Sequence, residues 1–142
     1  MYLTPFEAVH YRQMRVQDAQ SHMATVVSLE DLKGLENMLS VTLMDDGKPL
    51  VCAGVLPYWV NRGLLWSFLS SRVNAGNFWA VHSHAKKWIA GLPFRRLEAS
   101  VDVSFLNGHR WIKALGFKVE TPLQEKFQPG GRDSVGYVRI RQ

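Results

Sequence analysis

The chain has 142 residues, 46% hydrophobic and 20% charged, the size and balance of one globular domain and too apolar to stay unfolded. Its single cysteine, Cys52, excludes an intramolecular disulfide and a multi-cysteine zinc site, and no apolar run approaches the ~20 residues of a membrane span. The net charge is +5, and with no basic-then-apolar leader the expectation is a cytoplasmic protein without a membrane partner.

Thr4-Pro5, followed by Phe6, Val9, His10 and Gln13, predicts an N-capped helix with proline at its first position. A second short helical piece runs from Asp18 to Met23. Ser28 stands three residues before Asp31, the capping-box spacing, and Leu29, Leu32, Leu35, Met38 and Leu39 follow at helical intervals. Residues 40–44 and 49–55 are β-leaning runs joined by Asp45-Asp46-Gly47-Lys48, a hairpin signal. Residues 63–71 (GLLWSFLSS) make a further strand, and residues 72–77 a small polar connection. Phe78, Val81, Ala85, Trp88 and Ile89 mark an amphipathic helix that ends at Gly91. Residues 96–103 alternate as a strand, residues 105–115 form a helix stopped by Gly116, and residues 117–120 and 135–140 close as strands. Between them, residues 121–134 read as a loop that Pro129-Gly130-Gly131 keeps mobile. No repeat or linker interrupts the chain, so residues 1–142 read as a single α+β domain with one β-α-β crossover.

The positive charge is concentrated. Residues 84–118 hold Lys86, Lys87, Arg95, Arg96, Arg110, Lys113 and Lys118 against only Glu98 and Asp102. That surplus suits an anion such as nucleic acid, a membrane surface or a phosphate-bearing cofactor, or it marks a solvated helix face. Nucleic acid has thin support, because no Arg-rich recognition helix or set of interleaved aromatics accompanies it. His82 and His84 are two apart, on different faces of a helix, which argues against a metal site. Cys52 lies in an apolar strand run and reads as buried, and Trp79 and Trp88 read as core.

Residues 107–117 (NGHRWIKALGF) resemble the last helix of the GNAT superfamily of N-acetyltransferases, with its early Asn, its hydrophobic pair and its closing Leu-Gly-Phe. The order of elements agrees over nearly the whole chain. The Arg-Trp-Ile before Leu-Gly-Phe and the aromatic-rich strand 63–71 look closest to short GNAT-like proteins of tailed phages.

That resemblance implies a single GNAT-like domain: a mixed, mostly antiparallel sheet with splayed central strands, here 63–71 and 96–103, and helices on both faces. It implies acetyl-coenzyme A as cofactor, its pantetheine arm bonded like an extra strand to the backbone of Phe68, Leu69 and Ser70. The pyrophosphate would sit on Arg72, Val73, Asn74, Ala75, Gly76, Asn77 and Phe78, at a helix start, with Asn107 also on the cofactor side. Ala75 and Asn77 stand where the family's loop has small residues. Ile112 stands where many members carry the Tyr that protonates the departing thiolate, and Trp111 cannot replace it, because an indole nitrogen is no acid near neutral pH. Ser104 is then the nearest candidate acid and Asp102 the candidate base, with Ser67 or Ser70 able to relay a water. The implied function is acetyl transfer to an amine of a small molecule or protein. The alternative is a catalytically inert GNAT-fold binding or structural protein, for example a phage component. A homodimer stays open in either case.

Overall fold

In the computed structural model, which describes residues 1–25 and 27–142, the chain forms seven strands and four α-helices. Strand β1 (Tyr2–Pro5) precedes helix α1 (Ala8–Gln13), a 3₁₀ segment (Asp18–Thr25) and helix α2 (Leu29–Glu36). Strands β2 (Leu39–Asp45), β3 (Lys48–Trp59) and β4 (Arg62–Leu69) lead to helix α3 (Phe78–Ala90). Strand β5 (Arg96–Asp102), helix α4 (Leu106–Ala114) and strands β6 (Lys118–Gln128) and β7 (Arg132–Ile140) complete it. The sheet order is β1-β2-β3-β4-β5-β7-β6. Only β4 and β5 pair in parallel among the recorded registers, as their α3 crossover requires. The α+β class expected from the sequence is the one observed.

The described residues gather into two units, Met1–Leu56 with Trp66–Gly91, and Pro57–Leu65 with Leu92–Gln142. In the first, β3 is buried on both sides because its side chains alternate. Val51 and Ala53 share an apolar depression with Leu43 and with Val81, Ala85 and Trp88 of α3. Cys52 turns the other way, into a core with Phe6, Ala8, Leu32 and Phe68, flanked by Tyr11 and Trp66. Edge-on ring contacts, Phe6 to Trp66 at 5.4 Å and Tyr11 to Phe68 at 4.7 Å, fix that core.

Burial pushes the Cys52 thiol up to about 12, against a weaker opposing hydrogen bond from Thr42. The thiolate is the reactive form, so a disulfide reagent at pH 8 should leave Cys52 unlabelled in folded protein and label it fully in urea. Rapid labelling without denaturant would contradict the burial.

Local signals explain several boundaries. Ser28 Oγ accepts from Asp31 N and the Asp31 carboxylate accepts from Ser28 N, both at 3.1 Å, so the predicted capping box forms. Asp46 and Gly47 take φ of 51° and 71°, the left-handed pair a two-residue hairpin needs.

Three expectations are corrected. Thr4-Pro5 does not start a helix: both residues lie in β1, paired with Thr42 and Val41, and α1 begins at Ala8. β1 is an edge strand, where proline's missing donor costs no ladder bond. The leucine stripe from Leu29 stops at Glu36. Of it only Leu32 is buried within α2, and Leu39 opens β2. Residues 121–134 are mostly strand rather than loop, since β6 runs to Gln128 and only Pro129–Gly131 turns, with Gly130 and Gly131 at φ of 79° and 77°. β6 is almost wholly exposed and shifts register three times against β7, so no alternation of apolar residues marks it.

In the second unit β5 pairs with β7 along its length, from Arg96 opposite Ile140 to Asp102 opposite Ser134. Leu97, Ala99, Ile112, Leu115 and Phe117 are buried there. Gly116, at φ +96°, ends the last helix as the sequence predicts.

Candidate functional site

Strand β4 presents two different edges. Ser70 N donates to Leu50 O on β3 at 2.8 Å, so the alternate residues Ser67 and Leu69 direct their backbone groups to the opposite edge. Those groups are engaged. The Gln20 carboxamide lies along them, its Nε2 donating to Ser67 O at 2.9 Å and its Oε1 accepting from Leu69 N at 2.7 Å. Gln17 N donates to Leu69 O at 2.8 Å and Ser71 N to Arg15 O at 2.7 Å, closing an antiparallel bridge between Val16 and Ser70. Phe68, Leu69 and Ser70, all named from the sequence, are themselves buried.

The connection from β4 to α3 is closed on itself as well. Asn74 Oδ1 accepts from Gly76 N at 2.8 Å and Asn77 N at 3.2 Å, while Asn77 Oδ1 accepts from Asn74 N at 2.8 Å. Both carboxamides donate to Arg72 O, at 3.1 and 2.9 Å. Phe78 N donates to Asn74 O, Val73 N to Ser70 O and Arg72 N to Ser70 Oγ. The amides of Asn74, Gly76, Asn77 and Phe78 at the start of α3 thus already have acceptors, with Arg72, Asn74, Ala75 and Gly76 exposed.

On the first turn of α3, Trp79 is 73% exposed, which corrects its reading as core. It meets His82 edge-on at 5.8 Å, and the Phe78 ring stacks on His82 at 5.9 Å. Trp79 precedes Val81 by two residues, about 200° around the helix, and so points away from that buried side chain.

The second unit holds Asp102 and Ser104. Asp102 is 8% exposed and accepts four hydrogen bonds: Ser104 N at 2.9 Å, Ser104 Oγ at 2.6 Å, and Arg132 Nε and Nη2 at 2.5 and 3.1 Å. Arg132 Nη2 also donates to Ser104 Oγ at 3.0 Å. The Arg132 guanidinium, helped by Ser104 and opposed by burial, holds the Asp102 carboxyl well below the usual carboxylate range. Such a group stays ionised and is a weak proton acceptor at neutral pH.

Sequence reasoning missed Arg132, thirty residues away, because it lay in the stretch read as loop. It also missed a pair in the same unit. His109 Nε2 donates to Val103 O, which can only accept, at 3.1 Å, and its Nδ1 lies 2.7 Å from the Tyr137 hydroxyl. Tyr137 is buried and its hydroxyl is pushed up by burial, so it stays protonated. Asn107 lies exposed at the start of α4, and Ile112 is buried. Arg96, part of the basic surplus, is tied to Glu98 and Glu120.

No protein-family model matches this sequence, and no curated protein matches it. Solved structures do match its fold. An acetyltransferase of the GNAT family from Streptococcus pneumoniae aligns at 16% identity with a TM-score of 0.74, over 99% of each chain. A ribosomal-protein-alanine N-acetyltransferase from Brucella melitensis gives 11% and 0.67, over 99% of this chain and 100% of that one. An aminoglycoside 6'-N-acetyltransferase from Enterococcus faecium gives 11% and 0.68, over 99% and 97%. The fold is therefore that of the GNAT acetyltransferases. Among the described residues, no helix is long and apolar enough to cross a membrane.

Proposed function

We propose that this chain binds acetyl-coenzyme A and transfers its acetyl group to an amine of a small molecule or protein. One observation carries the reading. Ser67 O and Leu69 N on β4 offer an acceptor and a donor spaced for one amide group, and the Gln20 carboxamide already bonds both. An edge that takes a primary amide there is chemically suited to an amide of the pantetheine arm. The pyrophosphate is assigned to residues 72–78 at a helix start, where it would take over the backbone donors that Asn74 and Asn77 now engage, with Arg72 adding charge.

When bound, the cofactor supplies a thioester carbonyl for attack by an amine. Asp102 and Ser104 are assigned to the chemistry as a pair, Asp102 orienting the Ser104 hydroxyl and Arg132 keeping Asp102 ionised. Catalysis in this reading rests mainly on positioning two bound substrates. A buried, reduced Cys52 suits a cytoplasmic protein.

A second reading, a binding or structural protein without chemistry, for example a phage component, is favoured by one specific feature, the engagement of the loop amides by Asn74 and Asn77. Calorimetry with acetyl-coenzyme A separates the two. Binding below about millimolar is expected for the enzyme, and Asn77→Asp, which adds a negative charge beside the phosphates, should weaken it about tenfold or more. No binding at millimolar cofactor would favour the scaffold.

A further inference from the structure

Residues 15–20 form a strap over one edge of β4. Two chemically different contacts hold it. Arg15 and Gln17 add backbone bonds to Ser71 and Leu69, as a short extra strand would. Gln20, from the following 3₁₀ segment, then extends the same edge with a side-chain amide that satisfies Ser67 O and Leu69 N together. Gln17 Nε2 adds a bond to Ser70 O at 3.3 Å. Every one of these partners lies between Ser67 and Ser71, the stretch that the proposed function gives to the cofactor's pantetheine arm.

From this coincidence we infer that the strap is an intramolecular competitor of acetyl-coenzyme A: the Gln20 carboxamide stands in for a pantetheine amide, and the cofactor binds by displacing it. The inference rests on the proposed cofactor reading. Its physical basis is exclusion. Leu69 N has one hydrogen to give, so it cannot donate to Gln20 Oε1 and to a ligand carbonyl at full strength together. Displacement therefore costs the protein the Gln20 bonds, and the measured affinity is reduced by the fraction of molecules in which the edge is covered. Anything that lifts the 3₁₀ segment, such as an acceptor bound against it, would raise cofactor affinity by the same coupling.

The test compares acetyl-coenzyme A binding to the full chain, wild type against Gln20→Ala and Gln20→Glu, by calorimetry. Gln20→Ala removes the side-chain part of the competitor, leaving the backbone bonds of Arg15 and Gln17, and should tighten binding about tenfold, the yield of two exchanged hydrogen bonds. Gln20→Glu keeps the acceptor for Leu69 N but loses the donor to Ser67 O, so its gain should be smaller. Amide exchange at Leu69 is the second readout: faster in ligand-free Gln20→Ala than in wild type, and slowed again by cofactor. Wild type and Gln20→Ala binding with equal affinity, or the variant binding more weakly, overturns the strap as competitor and leaves the cofactor reading standing. Failure of all three proteins to bind overturns both.

Discussion

Gly54→Val is expected to lower stability by about 1–3 kcal/mol, an overpacking cost, with a fall in the urea midpoint at unchanged slope. Gly54 lies on β3 opposite Ser40 of β2. A Cβ there would stand 2.6 Å from Trp66 Cζ2, 2.7 Å from Cε2 and 2.8 Å from Ser40 Cβ, distances no packed core holds. The indole cannot retreat easily, because Phe6 meets it at 5.4 Å and Phe68 at 5.7 Å. The clash involves the six-membered part of the indole, which a phenyl ring would not extend into. Gly54→Val combined with Trp66→Phe should therefore be less damaging than the two single changes added together. Trp66 Nε1 is buried without a hydrogen-bond partner among the described residues, so removing it also removes an unsatisfied donor. Strict additivity of the two changes would show that the close approach at Gly54 is not what limits this core.

The glycine was visible in the sequence only as a residue within a strand; its purpose was not. The same division runs through the molecule. Signals written in local side-chain chemistry were readable: Ser28 with Asp31, Asp46-Gly47, Gly116, and the Leu-Gly-Phe that closes α4. Each of these fixes its own backbone within a few residues. Elements held by backbone bonding alone were not readable. Residues 15–17 join β4 through main-chain groups that any sequence possesses, and β6 adds to β7 with scarcely a buried side chain. β1 was concealed by Pro5, whose usual place at a helix start outweighed its tolerance at a sheet edge.

The candidate site divides along the same line. Residues 68–70 and 72–78 were named because the resemblance to GNAT proteins puts a cofactor on that strand, connection and helix start. Which of their amides are free is a property of Gln17, Gln20, Asn74 and Asn77 side chains and of the strap's backbone, which only the folded chain brings to them. His109 with Tyr137, and Asp102 with Arg132, join residues about thirty apart that no spacing rule connects.

Asp102 carries the second large effect. Asp102→Ala should cost about 2 kcal/mol at pH 7, since four donors lose a charged acceptor, although Arg132 is exposed enough for water to replace part of the loss. The pH dependence identifies the source. The folded carboxyl titrates below its unfolded value, so its contribution is complete above an unfolded pKa of about 4. It declines as pH falls from there through the folded value. The gap in stability between wild type and Asp102→Ala, measured by urea unfolding, should accordingly be widest near neutrality and narrow steadily below about pH 4. A gap of constant size down to pH 2 would mean that packing around the side chain, and not its charge, holds this end of β5. Asp102→Asn sharpens the comparison: Asn can still accept from Ser104, but its amide presents hydrogens to the Arg132 guanidinium, which offers only hydrogens in return. It should be nearly as unstable as Asp102→Ala at pH 7, and should show the same loss of acid sensitivity. On the proposed acetyltransferase reading, with Asp102 orienting Ser104 rather than taking protons, acetyl transfer in Asp102→Asn should fall in rate without moving the pH profile. A shifted profile would instead return the role of base to Asp102.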